Sequence, residues 1–401
     1  MSRRSPRRVL NVIQISGWGG VHSLVAQIGP LLPEQGWHMT CVLPDEDQAS
    51  VTRLLEAGVD VVTAPMSRLR RTAGISGIIA PLRRLGPEAK QLAEMVAAQE
   101  PDVVMVNGTH HFLGPIVAKR LGLPLLWTIH SDQVPLMMRR LGGIAMPLLA
   151  DSILTSGKSL VRQYPGLERF AAERTVGFSA PVDHAKFFPD LDLRTEAREE
   201  LGVGDSDSVV FGTLGGRGPN KNHGLLVEAF ARVHRDLPQS RLVIGGPPLP
   251  QHEAWYQENV SQRIAALPAA QREAIDVVFP DRRAAEFLNA LDVFVLPSKG
   301  EGASLATAEA LSCGVPAIVN DIGGLRDSVI EGSTGRLNRS CTAEELSDHM
   351  LDLGRDKLMR SKMGERGRDL AAALSIEACT ERHVEALELA HAGRSRTRSS
   401  C

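Results

Sequence analysis

Short runs of apolar residues alternate along the chain with segments whose apolar positions recur every three or four residues. The runs are rich in Val, Ile and Leu, which is typical of buried parallel strands, and the periodic segments between them indicate amphipathic helices. The predicted strands are 9–15, 38–43, 59–64, 103–106, 125–129, 153–155, 175–178, 209–214, 242–244, 277–279, 293–296 and 315–319. Strands separated by helices in this way predict an α/β fold with parallel sheets.

The segment 181–189, PVDHAKFFP, begins and ends with proline and interrupts this alternation. We interpret it as the exit from a first Rossmann-like domain, residues 1–185, into a second, residues 186–375. The two domains are expected to face each other across a cleft that holds a ligand. Residues 376–390 are predicted to form a helix that packs back toward the first domain, and the polar, basic residues 391–401 to form a disordered tail.

Composition and charge fit a protein of two ordinary globular domains. Of the 401 residues, 43% are hydrophobic and 23% are charged, and the net charge of −2 gives no indication of a nucleic-acid partner. No apolar run approaches the ~18 residues of a membrane-spanning helix. Five widely spaced cysteines without a C-x-x-C pair indicate reduced thiols and a cytoplasmic location.

The first half of the chain carries a net positive charge: residues 1–188 have 20 Lys and Arg against 15 Asp and Glu, whereas residues 189–401 have 25 against 32. Between 66 and 84, arginines flank Ile75, Ile78, Ile79 and Leu82, a pattern shared by helices on a membrane surface and by ordinary helices packed on a sheet. We favour the packed helix. Peripheral contact of the basic first domain with the inner face of a membrane stays as the alternative.

The stretch LDVFVLPSKGEGASLATAEALSCGVPAIVN, residues 291–320, carries two carboxylates at unusual places. It predicts a strand, a helix that begins near Ser304 and a second strand, with Glu301 just before the helix and Glu309 inside it. A helix N-terminus offers N–H groups and a positive dipole to a phosphate, and carboxylates accept hydrogen bonds from hydroxyl groups. The arrangement predicts binding of a nucleotide-sugar.

Two glycine-rich loops follow predicted strands. Gly19 and Gly20 follow the first strand, but their spacing does not complete a G-x-G-x-x-G pattern, so an ordinary tight turn is an equal alternative. The second loop, GGRGPNKN at 215–222, combines glycines with Arg217 and Lys221. Backbone and cationic side chains of this kind suit a diphosphate cradle.

Histidines end two predicted strands of the first domain. His130 ends the strand 125–129, at the edge where open α/β sheets bind ligands, and both a ligand contact and a structural role are open for it. His110 and His111 are adjacent and therefore diverge, so we interpret them as loop residues exposed to solvent.

Together the motifs resemble those of the retaining glycosyltransferases of the GT-B fold, family four. The segment EGASLATAEALSCGVPAIVNDIGG is similar to the E-x7-E signature of that family, with its small-residue helix, G-x-P turn and downstream glycine pair. The likeness extends, in the same order along nearly the whole chain, to the first Gly-Gly loop, PDVV, TIHSD, VD…F.P and NKNHGLLVEAF. It implies a GT-B enzyme that transfers a sugar from a UDP- or GDP-linked donor to an acceptor hydroxyl, with retained anomeric configuration and with no metal or other cofactor.

The resemblance also implies roles for residues. Glu301 would hold the transferred sugar, His130 would touch it and Lys221 would neutralise the diphosphate, and these three are the predicted catalytic group. Glu309 would hold the ribose hydroxyls. The other predicted donor-binding residues are Gly19, Gly20, Gly216, Arg217, Gly302, Ala303, Ser304 and Leu305. In the implied mechanism the leaving phosphate takes the acceptor proton, so neither glutamate acts as a base.

The chain departs from the family pattern in three places. The usual arginine stands five residues before the lysine, where this chain has Gly216, and Arg217 is one position late. At 303–304 the chain has Ala-Ser for the usual Phe-Gly, and at 180–181 it has Ala-Pro for the usual Asn-Gly. The identity of the sugar, the nucleotide and the acceptor is therefore open, as is the reach of Arg217 to the diphosphate.

Three alternatives compete with this interpretation. A metal-dependent GT-A enzyme would use an acidic motif after a strand, such as Asp-Glu-Asp at 45–47, but it would leave the tandem Rossmann pattern and the E-x7-E stretch without a place. A nucleotide-sugar 2-epimerase would share the fold and need no acceptor. The third alternative is a non-catalytic nucleotide-sugar-binding protein, and the presence of Glu301, Lys221 and Glu309 argues against it.

Overall fold

The computed structural model describes residues 5–15, 17–66, 75–109, 113–203 and 208–398, with the side chains of 75–85 and 394–398 left out. The chain forms two compact units. The first contains residues 1–179 and 376–401, and the second contains residues 180–375. Within the described residues each unit is built on one parallel β-sheet.

The first sheet has the strand order β3-β2-β1-β4-β5-β6-β7 within the described part of the chain. Its strands are β1 Arg7–Val12, β2 Trp37–Pro44, β3 Asp60–Ala64, β4 Val103–Asn107, β5 Leu125–Ile129, β6 Ser152–Ser156 and β7 Thr175–Phe178. Strands β1 and β4 pair in parallel with Val9 opposite Val103. The strand order reverses between β1 and β4, and ligands of such sheets bind at the carboxyl ends beside the reversal.

Helices cover both faces of this sheet. They are α1 Gly20–Ile28, α2 Gln48–Glu56, α3 Ile75–Gln99, α4 Leu113–Arg120, α5 Leu136–Leu149, α6 Leu167–Ala171 and, from the end of the chain, α16 Ile376–Arg398. Short 3₁₀ segments lie at Gly29–Gln35, Ser159–Gln163 and Ala172–Arg174. Helices α1 and α16 share one core cluster, and α4 and α5 share the other, so the two pairs lie on opposite faces.

Helix α16 returns the end of the chain to the first unit. It buries Ala386, Leu387 and Ala390 in the core beside α1. The prediction of a disordered tail from residue 391 is wrong as far as residue 398. The helix continues because His391 packs edge-on against Trp37, with ring centroids 6.2 Å apart, and the next turn lies against the first unit.

The second sheet has the order β10-β9-β8-β11-β12-β13 in the described residues. Its strands are β8 Val210–Leu214, β9 Arg241–Gly245, β10 Ile275–Val278, β11 Val293–Leu296, β12 Ala317–Asn320 and β13 Gly335–Asn338. Strands β8 and β11 pair with Phe211 opposite Val293. The order repeats the pattern of the first sheet, with the reversal between β8 and β11, so the α/β prediction of two Rossmann-like domains is confirmed.

The helices of the second unit begin with α7 Leu191–Glu200 and α8 His223–Asp236. Next come α9 Glu253–Tyr256, a π-helical turn Gln257–Ser261, α10 Gln262–Ala265, α11 Ala269–Glu273 and α12 Ala284–Ala290. The last three are α13 Leu305–Ser312, α14 Ala343–Arg355 and α15 Lys357–Ala372. Further 3₁₀ turns lie at Pro219–Lys221, Pro250–His252 and Leu325–Asp327.

Most predicted strands differ from the observed ones by no more than one residue at each end, but β1, β10 and β12 differ by two or more, and β13 is not among the predicted strands. Strand β1 stops at Val12 although the apolar run continues, and Ile15 is exposed. Strand β10 begins at Ile275, two residues before the predicted start, because Ile275 pairs with Leu242 of β9, and Phe279 lies beyond the strand on the surface. Apolar character alone therefore placed these ends wrongly, because sheet pairing decides them.

Two of the alternatives concern the acidic motif at 45–47 and the basic segment 66–84. Asp47 of the acidic motif is the N-cap of α2: its carboxylate accepts from the backbone N–H of Ser50 at 3.3 Å and of Gly17 at 2.8 Å. The basic segment 66–84 lies almost wholly outside the residues whose side chains are described. Among the described helices, none is long and apolar enough to cross a membrane.

Candidate functional site in each unit

An ion pair stands beside the strand-order reversal of the second sheet. Strand β11 is followed by a loop that carries Glu301, and the loop after β8 carries Lys221. The Lys221 Nζ atom donates to Glu301 Oε1, and the Ser298 hydroxyl donates to the same oxygen at 3.4 Å. The Lys221 and Glu301 side chains are only 21% and 18% exposed, so water screens their interaction weakly.

The loop after β8 is shaped to carry the lysine across it. A side chain at Gly215 would come within 2.7 Å of Lys221 Cε, so glycine makes room for the lysine stem. The Asn220 amide donates to the Gly300 carbonyl at 2.9 Å, and the Asn220 carbonyl accepts from Lys299 N–H at 2.8 Å. These two bonds join the loops after β8 and β11, which holds Lys221 against Glu301.

Helix α13 begins directly after this pair. Ser304 is its N-cap, with extended backbone angles and a hydroxyl that accepts from Thr307 N–H at 3.2 Å. The first N–H groups of a helix have no partner within the helix, and its dipole favours an anion there. The predicted backbone donors Gly302, Ala303 and Leu305 lie at this helix start and directly follow Glu301, whose carboxylate is paired with Lys221.

Glu309 lies one turn into α13, roughly 7 Å along the helix axis from its cap at 1.5 Å per residue. Burial raises the pKa of its carboxyl group to about 7; Lys186 opposes this shift and Asp183 adds to it. Both of those residues belong to the predicted linker 181–189. Glu309 is therefore a weakly acidic group that can donate or accept a hydrogen bond near neutral pH.

Arg217 points away from the Lys221–Glu301 pair. Its Nη2 atom donates to the Val278 carbonyl at 3.1 Å, and the guanidinium lies 6.0 Å from the centre of the Tyr256 ring. Val278 ends β10, which is three strands from β11 and so roughly 14 Å away at the usual strand spacing. Gly216, its neighbour, faces Leu249. The structure thus brings Lys221, but not Arg217, to the glutamate.

Asparagines that the sequence analysis did not single out hold the loop after β11 in place. The Asn320 amide donates to the carbonyls of Pro297 and Ser298, both at 3.0 Å, and Asn338 donates to the Asn320 side chain at 2.8 Å. Asn320 and Asn338 are buried and end neighbouring strands. A buried amide at the last position of an apolar strand is the signal that could have identified them.

The first unit has its own polar cluster at the carboxyl edge of the sheet. The Asn107 amide nitrogen, at the end of β4, donates to Asn11 Oδ1 at 2.6 Å and to the Val12 carbonyl at 3.1 Å. Its oxygen faces His130 Nε2 at 2.8 Å. Because a carbonyl only accepts, the two bonds of the Asn107 nitrogen fix the orientation of its amide, and His130 must donate from Nε2.

His130 is consequently a neutral histidine with a defined tautomer. Burial lowers its pKa to about 3, and the nearby His383 adds to the shift. With the proton on Nε2, the Nδ1 atom is left as a hydrogen-bond acceptor. An acceptor at the end of β5 suits a hydroxyl group, and the sugar contact of His130 stays a prediction.

The glycine-rich loop of the first unit lies at the end of β1. Gly19 is the N-cap of α1, and its carbonyl accepts from Ser23 N–H at 3.0 Å. A side chain at Gly20 would meet no atom of the chain within 4 Å, so internal packing does not require glycine there. A small residue at a helix start leaves room for a ligand.

Among the described residues, no group of three His, Cys, Asp or Glu side chains is suited to hold a metal ion.

These features define a class of protein with two Rossmann-like domains. In the second domain, a lysine–glutamate ion pair and the start of a helix lie at the carboxyl edge of the sheet. Solved structures with this architecture include Anabaena Alr3699/HepE in complex with UDP and glucose, at a TM-score of 0.80 and 17% identity over 95% of this chain and 99% of that one. Sucrose-phosphate synthase from Thermosynechococcus elongatus matches at 0.74 and 19% identity over 95% and 98%. The likeness identifies the fold as GT-B.

Sequence comparison identifies the family. The family described as "Glycosyl transferases group 1" matches residues 194–370, and the "Glycosyl transferase 4-like domain" matches residues 19–183. The two matches together span most of the chain, which therefore belongs to the group 1 glycosyltransferase family.

Two curated relatives match part of the chain. The GDP-mannose-dependent alpha-(1-6)-phosphatidylinositol monomannoside mannosyltransferase of Mycolicibacterium smegmatis is 31% identical over 47% of this chain and 50% of its own length. The D-inositol 3-phosphate glycosyltransferase of Geodermatophilus obscurus is 31% identical over 60% of this chain and 57% of its own length. The matched segments span only about half of the length of these relatives.

Proposed function

We propose that the protein is a glycosyltransferase that moves a sugar from a nucleoside-diphosphate sugar to an acceptor hydroxyl, with retention of configuration and without a metal ion. The observation that carries the proposal is the Lys221–Glu301 pair beside the start of α13. A cation next to a helix N-terminus is suited to the charge that grows on a departing diphosphate. The family membership supports the same reaction class.

Different groups of the second unit would bind different parts of the nucleotide-sugar donor. Lys221 and the N–H groups at the start of α13 would hold the diphosphate, and Glu301 would accept hydrogen bonds from the sugar. Glu309 would accept from the ribose hydroxyls. Because glycosyl transfer passes through a state with cationic sugar and anionic leaving group, Lys221 stabilises the transition state more than the bound donor.

The donor and acceptor are proposed by class only. UDP- and GDP-linked sugars are both candidates, since the relatives and structural neighbours include a GDP-mannose-dependent enzyme and a complex with UDP and glucose. Trials of acceptors would begin with inositol phosphates and inositol lipids, because the two curated relatives are named for D-inositol 3-phosphate and for a phosphatidylinositol monomannoside. A cytoplasmic location is a further proposal, and it rests on cysteines without a pairing pattern.

Transfer assays with UDP-glucose and GDP-mannose test this proposal. We expect Lys221→Ala to lower kcat/KM by about 100-fold or more, the usual loss when one charge-stabilising group is removed. Glu309→Ala should also abolish most of the transfer, because it removes the acceptor for the ribose hydroxyls. Lys357→Ala and Glu365→Ala, which change exposed residues of α15, are the matched controls and should retain activity. Thermal shifts with UDP, GDP and ADP would select the donor before the assay, because a bound ligand stabilises the folded protein.

Three results would contradict parts of the proposal. Loss of activity in EDTA that manganese restores would exclude the metal-independent reaction. Conversion of the nucleotide-sugar when no acceptor is present would identify an epimerase. Tight nucleotide binding without turnover across the acceptor panel would favour a binding protein.

A further inference from the structure

Helix α5 carries a stripe of large apolar side chains on its solvent side. Met137, Leu141, Ile144 and Leu148 are 70%, 55%, 54% and 73% exposed. Their spacing of four, three and four residues places them on one line along the helix, roughly 16 Å long at 1.5 Å per residue. We call these four residues the α5 stripe.

The α5 stripe is not a side effect of loose packing. The opposite side of α5 buries Met146 and Pro147, and Gly143 lies close against the backbone of Pro165. Arg174 donates to the Ala150 carbonyl at 2.6 Å at the end of the helix. These contacts hold the inner side of the helix in place, so its apolar stripe faces outward. Exposed apolar patches of this kind mark interaction surfaces.

Apolar and basic side chains extend the same surface. Arg140 is exposed and lies one turn from both Met137 and Ile144, beside the stripe. On α6, Phe170 is 55% exposed and is stacked under Arg169, whose guanidinium lies 5.3 Å from the ring centre. Gly166 joins the two helices, since it packs between the Gly143 carbonyl and the Phe170 ring.

Helix α4 lies on the same face of the sheet, because it shares a core cluster with α5. It exposes Ile116, and its end exposes Lys119, Arg120 and Leu121. Neither α4 nor α5 contains an aspartate or a glutamate. The acidic Glu168 of α6 is paired with Arg162 at 3.4 Å. The face thus combines outward apolar side chains with an excess of positive charge.

We propose that this face of the first unit docks on the surface of an anionic lipid bilayer, with the α5 stripe inserted at the boundary of head groups and acyl chains. An apolar stripe flanked by Arg and Lys, on two helices that contain no acidic residue, complements a surface that is apolar below and negative above. A second copy of the same face fits less well. It would set Arg140 and the cations of α4 against their own equivalents, with no carboxylate on either helix to pair with them.

Vesicle flotation of the full chain tests the proposal. One set of vesicles contains phosphatidylcholine alone, and the other contains phosphatidylcholine with phosphatidylglycerol. We expect binding to the anionic vesicles, weaker binding in high salt, and a loss of about tenfold or more in the L141Q/I144Q/L148Q variant, because the buried apolar area is removed. R140Q should lose about fivefold, the usual contribution of one arginine near such a surface.

Matched variants and a second measurement separate the outcomes. L191Q/L358Q changes two leucines of the second unit that are 80% and 63% exposed, and it should bind vesicles like the original protein. Equal thermal unfolding midpoints would show that all variants are folded.

The proposal is overturned if the original protein does not bind anionic vesicles or if the triple variant still binds them. A dimer in analytical ultracentrifugation that the triple variant dissociates, without vesicle binding, would assign the face to a second copy. The readout involves no sugar transfer, so its failure leaves the proposed function untouched.

Discussion

The carboxyl group of Glu309 has a pKa of about 7 in the folded protein, well above the ordinary range of a glutamate, because burial disfavours its charged form. In the unfolded chain the same group loses its proton at a much lower pH. The folded state therefore holds the proton more tightly. The contribution of Glu309 to the stability of the folded state is therefore fully present at acidic pH, below the pKa of the unfolded form, and it is lost as the pH rises toward and through 7.

Replacement of Glu309 by glutamine should remove this pH dependence. We expect Glu309→Gln to become more stable relative to the original protein by roughly 2 kcal/mol between pH 5 and pH 8, at ~1.4 kcal/mol per pKa unit with an allowance for partial solvent access. Urea unfolding of the second unit at a series of pH values measures the difference. Glu365→Gln on exposed α15 is the control, and a difference that stays constant with pH would contradict the raised pKa.

Among single residues, the sequence analysis selected candidate side chains, and the structure shows which of them contact each other. Glu301, Lys221 and Glu309 were chosen from motif and resemblance, and the structure brings the first two together. Arg217 was chosen with them, but its guanidinium lies on the Val278 carbonyl instead. A position in a glycine-rich loop does not determine where a long side chain points, because loop backbone and neighbouring strands set its direction.

At the scale of secondary structure elements, Asp292 anchors helix α7 to the second sheet. Its carboxylate accepts from Arg194 at 2.7 Å, from Arg198 at 3.1 Å and from Val210 N–H at 2.8 Å. The Arg198 side chain is 4% exposed. One carboxylate thus joins the strand β8, the start of β11 and a helix that the apolar pattern did not predict.

Asp292→Ala should lower the free energy of unfolding of the second unit by about 3–5 kcal/mol, because it leaves the buried Arg198 without its counter-charge. Asp276→Ala breaks the more exposed pair with Arg241 and should cost no more than about 1 kcal/mol. Chemical denaturation of both variants measures the contrast. Equal effects would show that the buried network contributes no more than a surface pair.

At the scale of the whole chain, the polypeptide passes between the two units twice. The chain leaves the first unit after residue 179 and returns at residue 376 with α16. Glu388 of this helix accepts from Trp37 Nε1 at 2.9 Å and is paired with Arg7 of β1. Arg7 in turn lies over the Trp37 ring, with its guanidinium 4.6 Å from the centre.

Loss of this contact should loosen α16 without unfolding the rest of the first unit. We expect Glu388→Ala to raise the hydrogen-exchange rate of the α16 amides by about 2- to 10-fold, which corresponds to ~0.5–1.4 kcal/mol for a lost part-buried hydrogen bond and a solvent-exposed ion pair. Glu381→Ala, on the exposed side of the same helix, should leave exchange unchanged. An unchanged rate in Glu388→Ala would show that apolar burial alone holds the helix.

The element pattern and the family were within reach of the sequence, because both depend on local properties. Apolar runs and helical spacing predicted every described strand of the two sheets except β13, and ordered motifs predicted the family that the comparisons identify. The strand ends of β1 and β10 and the helical end of the chain were predicted wrongly. Those limits depend on pairing partners and packing contacts that lie far away in the sequence.

What the sequence by itself determined is therefore the kind of residue available at each strand end: glycines, a lysine, two glutamates and a histidine. Only the tertiary structure decided which of them meet. Parallel sheets with a reversed strand order bring loops together that are far apart in the chain, so Lys221 and Glu301 become partners across 80 residues, and Asn11, Asn107 and His130 form one hydrogen-bonded row. The outward apolar stripe of α5 is a result of the same kind, because helical periodicity shows that a face is apolar, and only packing shows that none of the described residues of the unit covers it.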